Sequence, residues 1–217
     1  MKRNLPDDPP LSTNARQRAD VALFLTELGW MAAVGSDRVL YRLAFGHASK
    51  AHALAAVSGP ESGALQLAQR PWCPGLVEML DRYASGDEVD FSDIELNLAH
   101  LRPFHACVVA ACRRVGYGET ISYGQLATKA GSPGAARAVG NCMAANRFPL
   151  IVPCHRVVNA DGSIGHFSAP QGPGMKQRLL ELERRGAWSG GLGRASRSPT
   201  RPSRAARKEG ASLTSMA

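Results

Sequence analysis

The run Leu150-Ile151-Val152 closes on Pro153, and the next residues are Cys154, His155 and Arg156. Consecutive large apolar residues call for burial on all sides, and a proline directly after them interrupts any regular backbone ladder. The fold must therefore carry the chain through its core and deliver a thiol beside an imidazole. Adjacent side chains of a strand point to opposite faces, so a strand that stops at Pro153 would let Cys154 and His155 serve one pocket. A thiol of ordinary pKa is mostly protonated at neutral pH, and a neighbouring base or cation is the usual way to obtain the thiolate. On these two residues alone, a nucleophile and a small buried cysteine are both open readings.

The 217 residues suit one compact domain with a smaller one beside it. No apolar run has the length needed to span a bilayer, and the polar start Met1-Lys2-Arg3-Asn4-Leu5-Pro6 does not read as a secretory signal. A cytoplasmic protein is expected, or a nuclear one in a eukaryote. The five cysteines are odd in number and contain no Cys-x-x-Cys pair, which argues against a disulfide framework and a thiolate zinc cage. A net charge of +8 suits an anionic polymer as partner. Six basic residues against Glu209 place +5 of that charge between Arg194 and Glu209, so the body is only mildly basic.

The pattern predicts an α+β chain: a small N-terminal antiparallel-sheet domain, then a mainly helical domain with a helix-turn-helix and an active-site loop. Residues 1–16 read as a disordered arm, 17–92 as a supporting domain, 93–186 as the domain that carries the thiol, and 187–217 as a disordered basic tail. Val39, Tyr41, Leu43 and Phe45 fall on one face of a strand, with Gly35-Ser36-Asp37 as a hairpin turn. Ser49 to Val57 and Pro74 to Ala84 are expected helices, without evident chemistry. Phe104, Cys107, Val108, Ala111, Cys112 and Val115 recur at helical spacing, which assigns both cysteines to the core.

Ser122-Tyr123-Gly124-Gln125 is a capping box that opens a short helix through Ala130. Gly131-Ser132-Pro133 follows as a turn, with Ser132 as a cap, Pro133 at a first helical position and a second helix over Gly134 to Ala145. Two short helices about a glycine turn form a helix-turn-helix. In the last helix, from about Gly174 to Arg185, Met175, Leu179, Leu180 and Leu182 make an apolar stripe, and Glu183 falls inside it. A carboxylate there needs a partner.

The string Asn146 to Val158 with its Pro-Cys-His-Arg-Val core resembles the active-site signature of the methylated-DNA–protein-cysteine methyltransferases, the 6-O-alkylguanine-DNA alkyltransferases. The resemblance covers about residues 104–185, through Gly118-Glu119-Thr120-Ile121-Ser122-Tyr123 and Ala135-Ala136-Arg137-Ala138-Val139-Gly140, and is weaker over 20–90. It implies a DNA-repair function: irreversible transfer of an alkyl group from the 6-oxygen of guanine, with the 4-oxygen of thymine as a second substrate, to Cys154. It also implies His155 as a base acting through water, Glu183 as its orienting carboxylate, and Asn146 as the hinge before the active-site loop. Tyr123 would contact the flipped nucleotide and give a proton to the leaving guanine, and Arg137 would enter the base stack.

By the same resemblance, Ala135, Ala136, Ala138 and Gly140 make a slim helix for the minor groove, and Val157, Ser168, Phe167 and Met143 belong to the substrate pocket. A base attacked in line by a thiolate must leave the duplex. The DNA is the alkyl donor and the protein the acceptor, so no metal or diffusible cofactor is needed, and the expected state is a monomer on double-stranded DNA. The segment Gly165 to Gly174 departs from the family pattern by about two extra residues, which predicts a longer, stiffer pocket wall. Gly116-Tyr117-Gly118 stands where relatives have Pro-Tyr-Gly. Two other classes compete: a lesion-binding relative without chemistry, in which Trp replaces the cysteine, and a helix-turn-helix regulator, which would dimerise.

Overall fold

A computed structural model describes residues 18–58 and 66–194, with side chains up to residue 187. The arm at 1–16 and the part of the tail beyond Arg194 lie outside the described residues. The fold is α+β. Strands β1 (Arg18–Thr26), β2 (Gly29–Ser36) and β3 (Val39–His47) form an antiparallel meander. Short strands β4 (Gln66–Gln69) and β5 (Glu95–Leu96) pair parallel to its edges, in the order β4-β1-β2-β3-β5. The sheet is thus mixed at its margins and antiparallel in its centre.

Helix α1 (Lys50–Val57), capped by Ser49, covers one face through Ala53 and Val57 against Val21, Ala32 and Val34. The other face places Met31, Ala33, Leu40, Leu43 and Phe45 in the main core. The expected stripe of Val39, Tyr41, Leu43 and Phe45 is corrected there. The register slips between Val34 opposite Arg42 and Gly35 opposite Leu40, so Tyr41 is an extra residue and Leu40, not Val39 or Tyr41, joins Leu43 and Phe45. A bulge of this kind moves one part of a strand to the opposite phase. The hairpin turn also sits later than expected. Gly35 and Ser36 still pair with β3, and Asp37, at φ 53, makes the turn with Arg38.

Helix α2 (Pro74–Ala84) starts on its proline and buries Leu76, Leu80, Tyr83 and Ala84. Helix α3 (Pro103–Cys112) buries Val108, Val109, Ala111 and Cys112, whereas Cys107 is exposed, against expectation. The buried arc of the helix is rotated toward Val109, which the spacing left out. Helix α4 (Tyr123–Lys129) carries the capping box as expected, with Gln125 N donating to Ser122 Oγ and Ser122 N donating to Gln125 Oε1.

Helix α5 (Ala136–Ala144) begins two residues later than Gly134, because Pro133 and Gly134 form a turn in which Gly134 has φ +85. Two-residue strands β6 (Ile121–Ser122) and β7 (Val157–Val158) pair in parallel and hold the start of α4 beside the end of the active-site segment. Helix α6 runs Pro173–Arg194, beyond the expected end at Arg185. Gly186, just past that expected end, sits at a close contact. A Cβ on it would stand 2.2 Å from Gly86 O and 2.4 Å from Tyr117 Oη. One core joins the inner sheet face, α2 and the C-terminal helices. Among the described residues no helix is long and apolar enough to cross a membrane.

Candidate active site

The apolar run before the thiol is not a strand. It folds as consecutive buried turns, with Leu150 at φ 71 and Val152 N donating to Phe148 O. Asn146 takes over the bonding that a ladder would have supplied, since its Nδ2 donates to Val152 O at 2.9 Å and its Oδ1 accepts from Phe148 N at 2.9 Å. The chain then makes a single 3₁₀ turn over Cys154–Arg156. Successive side chains of such a turn diverge by about 120°, so Cys154 points one way while His155 and Arg156 point into the protein. Asn146 Nδ2 also lies 3.1 Å from Cys154 Sγ, as a donor to sulfur.

Behind the thiol, Glu183 on α6 is fully buried and saturated with donors. Its Oε1 accepts from Tyr83 Oη at 2.7 Å and Arg156 Nη2 at 2.8 Å, and it lies 2.8 Å from His155 Nε2. Its Oε2 accepts from Arg156 Nε at 2.9 Å and from Gly118 N at 3.1 Å. Burial alone would raise the Glu183 pKa, but the bonds from His155 and Arg156 hold it well below the usual carboxylate range. An ionised carboxylate only accepts, so the proton of His155 sits on Nε2. Nδ1 is left with its lone pair, and among the described residues it is the one buried side-chain nitrogen or oxygen atom without a partner.

Burial also pushes the His155 pKa down, against the opposing bond to Glu183, because Arg156 already supplies the charge that Glu183 needs. A neutral imidazole with a free Nδ1 is the form that can take a proton. Burial likewise raises the Cys154 pKa, only partly offset by Asn146 and the Lys176 ammonium, so the resting group is the thiol.

Cys154 opens on the other side to a pocket of about 700 Å³. Tyr123, Met143, Asn159, His166, Phe167 and Ser168 contribute to its wall, with Ala136, Arg137 and Gly140 of α5 at its rim. Arg137 and Ala138 are exposed, and Ala135 lies half-buried just before α5. Gly165 lets the loop approach Tyr123, since a Cβ there would be 2.9 Å from the tyrosine hydroxyl. Phe167 pins the loop by an edge contact to Phe45, with ring centroids 6.4 Å apart. Val157 was expected in the wall and is absent from the pocket lining; its side chain is buried and its carbonyl accepts from Lys176 Nζ. Among the described residues no group of His, Cys, Asp and Glu could hold a metal ion.

The sequence model of the 6-O-methylguanine DNA methyltransferase DNA-binding domain matches residues 103–185, which contain the whole thiol–imidazole–carboxylate arrangement. A crystal structure of Mycobacterium tuberculosis OGT in complex with DNA superimposes with a TM-score of 0.62 at 32% identity, covering 77% of this chain and 94% of that one. The chain belongs to the 6-O-methylguanine DNA methyltransferase family. The methylated-DNA–protein-cysteine methyltransferase of Mycolicibacterium paratuberculosis is 45% identical over 111 residues, 51% of this chain and 65% of that relative, just under two thirds of its length. A Thermus thermophilus protein named DNA base-flipping protein is 40% identical over 127 residues, 58% of this chain and 78% of that one.

Three residues that the structure gathers behind the thiol were not read from the sequence as part of the site. Tyr83 comes from α2, in the part assigned no chemistry, and its Oη also lies 3.2 Å from His155 Nε2. Its helical spacing from Leu76 and Leu80 marked it as buried, but nothing local linked it to a residue 72 positions away. Arg156, inside the signature itself, closes the ion pair with Glu183. Lys176 lies seven residues before Glu183 on the same face of α6; it is fully buried, with its Nζ 5.7 Å from the centroid of the Tyr123 ring. Extending the apolar stripe backward from Glu183 would have found it.

Proposed function

We propose that this chain repairs double-stranded DNA by transferring a methyl or larger alkyl group from the 6-oxygen of guanine, and from the 4-oxygen of thymine, to Cys154. The observation that carries the reading is the position of Cys154: its sulfur lines a pocket of about 700 Å³ beside α5 and sits 3.1 Å from Asn146 Nδ2, with the His155–Glu183 pair at its back. That volume is in the range of small-ligand sites and suits one nucleobase turned out of the duplex. Extrusion brings the alkyl carbon to the sulfur, which a base inside the stack could not reach.

In the step itself the thiol proton passes through a water to His155 Nδ1, and Sγ attacks the alkyl carbon in line. The C–S bond forms as the carbon–oxygen bond breaks, and the electron pair stays on guanine. Tyr123 supplies a proton to the departing base and is restored from the imidazolium through solvent. Glu183 steadies the charge that forms on His155, as a fixed carboxylate does for a histidine base. Asn146 orients the sulfur, while Arg137 occupies the gap left in the stack and the small face of Ala135, Ala136, Ala138 and Gly140 lies in the minor groove. The product is a thioether that no group in the site can hydrolyse, so each molecule acts once, as a monomer and without a cofactor. The N-terminal unit, 17–92, supports the catalytic unit, 93–186, and lends it Tyr83.

The name of the Thermus relative favours a second reading, lesion binding without chemistry. The two differ in stoichiometry. Titrating the protein against duplex DNA containing 6-O-methylguanine should restore one guanine per active molecule and then stop. Tight binding with every lesion left intact would select the second reading.

A further inference from the structure

A second groove, of about 1240 Å³, runs along the flank of α5 that faces away from Cys154. Asn141 and Ala144 line both this groove and the Cys154 pocket, so the helix is the partition between them. The outer wall brings together Arg42 of β3, His100, Arg102 and His105 around the start of α3, and Arg147 after α5. None of its lining residues is Asp or Glu.

The cations are held close together by the fold. Leu43 N donates to Arg147 O at 2.9 Å, which fastens the segment after α5 to β3, and His100 packs on Phe148 with ring centroids 6.4 Å apart. Burial first, and then the charges of Arg147, His105 and Arg42, lower the His100 pKa, so three basic side chains lie near enough to His100 to act on it. Neither Arg102 nor Arg147 makes an ion pair among the described residues. Crowded cations of one sign cost stability unless an anion joins them.

We infer that this groove holds the phosphate backbone of one DNA strand, with Arg102 and Arg147 as its phosphate contacts. The inference rests on the reading of α5 as the helix that enters the minor groove. A helix in that groove has a sugar–phosphate strand on each flank; one flank of α5 carries the pocket for the extruded nucleotide, so the other meets the second backbone. From Ala138 to Ala145 the helix side extends roughly 10 Å, long enough to follow about two neighbouring phosphates of one strand. A DNA strand fits better than a single small anion, because the basic residues come from three separate parts of the chain that line one groove of about 1240 Å³.

The test uses the full chain and a fluorescein-labelled duplex, undamaged or with one 6-O-methylguanine, across a series of salt concentrations. Arg102→Gln with Arg147→Gln should weaken binding to both duplexes alike and lower the slope of log affinity against log salt by about 2, one unit for each lost phosphate contact. Arg102→Gln alone, at an exposed position, should lower it by about 1 and guards against a folding defect in the double variant. Transfer of the benzyl group from free 6-O-benzylguanine base to Cys154 should keep its wild-type rate, because that substrate has no backbone. An unchanged salt slope, or a loss confined to the lesion-bearing duplex, overturns the inference. Failure of the wild-type chain to take the methyl group from the lesion-bearing duplex would count against the transfer reading and leave the undamaged-duplex result to judge the groove.

Discussion

The two sides of Cys154 are built on opposite principles. Behind it, every position is fixed several times over: Glu183 holds Tyr83, His155, Arg156 and Gly118 at once, and Lys176 is tied to Val157 O. In front of it, Tyr123 is half-buried, Ser168 and His166 are exposed, and Phe167 and Met143 tie the wall to the core. The rear has one low-energy arrangement because a buried charge left without partners is expensive. The front can differ in length and shape without disturbing the thiol. On the proposed reading, changes in the wall formed by residues 166–168 should alter which substrates enter and leave the thiol's own setting untouched.

The comparison breaks first at the thiol. Cys154→Ala should abolish alkyl transfer completely while leaving affinity for a lesion-bearing duplex within a few-fold of wild type, read by gel-shift titration. Glu183→Gln should be the most damaging change at the rear. It leaves Arg156 buried without a charge partner, a loss of about 3–5 kcal/mol in stability, and it should slow single-turnover transfer about a hundredfold. A rate unchanged in correctly folded Glu183→Gln protein would make the carboxylate purely structural.

Tyr83→Phe removes one donor to Glu183 and should cost about 1–3 kcal/mol. It should slow transfer about tenfold or less, with the DNA affinity unchanged. Because the N-terminal unit would lose only this contact, nitrogen chemical shifts of His155 report directly on whether Tyr83 steadies the Nε2-protonated form. The smallest effect is on acid stability. The folded His155 pKa lies below its ordinary 6.5, so the unfolded chain takes up the proton first. The stability it contributes is present above pH 6.5 and is lost as the pH falls below that value. Melting temperature should decline between pH 7 and pH 5.5, and the decline should shrink in His155→Gln.

The front was more legible in the sequence than the rear. Cys154, Tyr123, the capping box at Ser122 and the small residues of α5 are local signals, and each falls where its neighbours in the chain place it. Glu183 was legible as a misfit, a carboxylate in an apolar stripe. Its partners were not, because Tyr83 and Gly118 reach it from other elements and the bonds are set by tertiary packing. The errors in the fold share that origin. Tyr41 changes face through a bulge, Cys107 is turned outward on α3, and Gly186 continues α6 since it must pass close to Gly86 and Tyr117. Periodicity alone registers none of these. Local chemistry marked the candidate nucleophile, and long-range contacts built the buried cluster behind it.

The most direct test of Cys154 as the acceptor is intact-protein and peptide mass spectrometry after mixing equal amounts of protein and duplex DNA containing 6-O-methylguanine. The account predicts a single added methyl group, located on the peptide that contains Cys154, with Cys73, Cys107, Cys112 and Cys142 unmodified. A chain that binds the lesion and emerges with Cys154 unmodified, or that carries the methyl group on another residue, would contradict it.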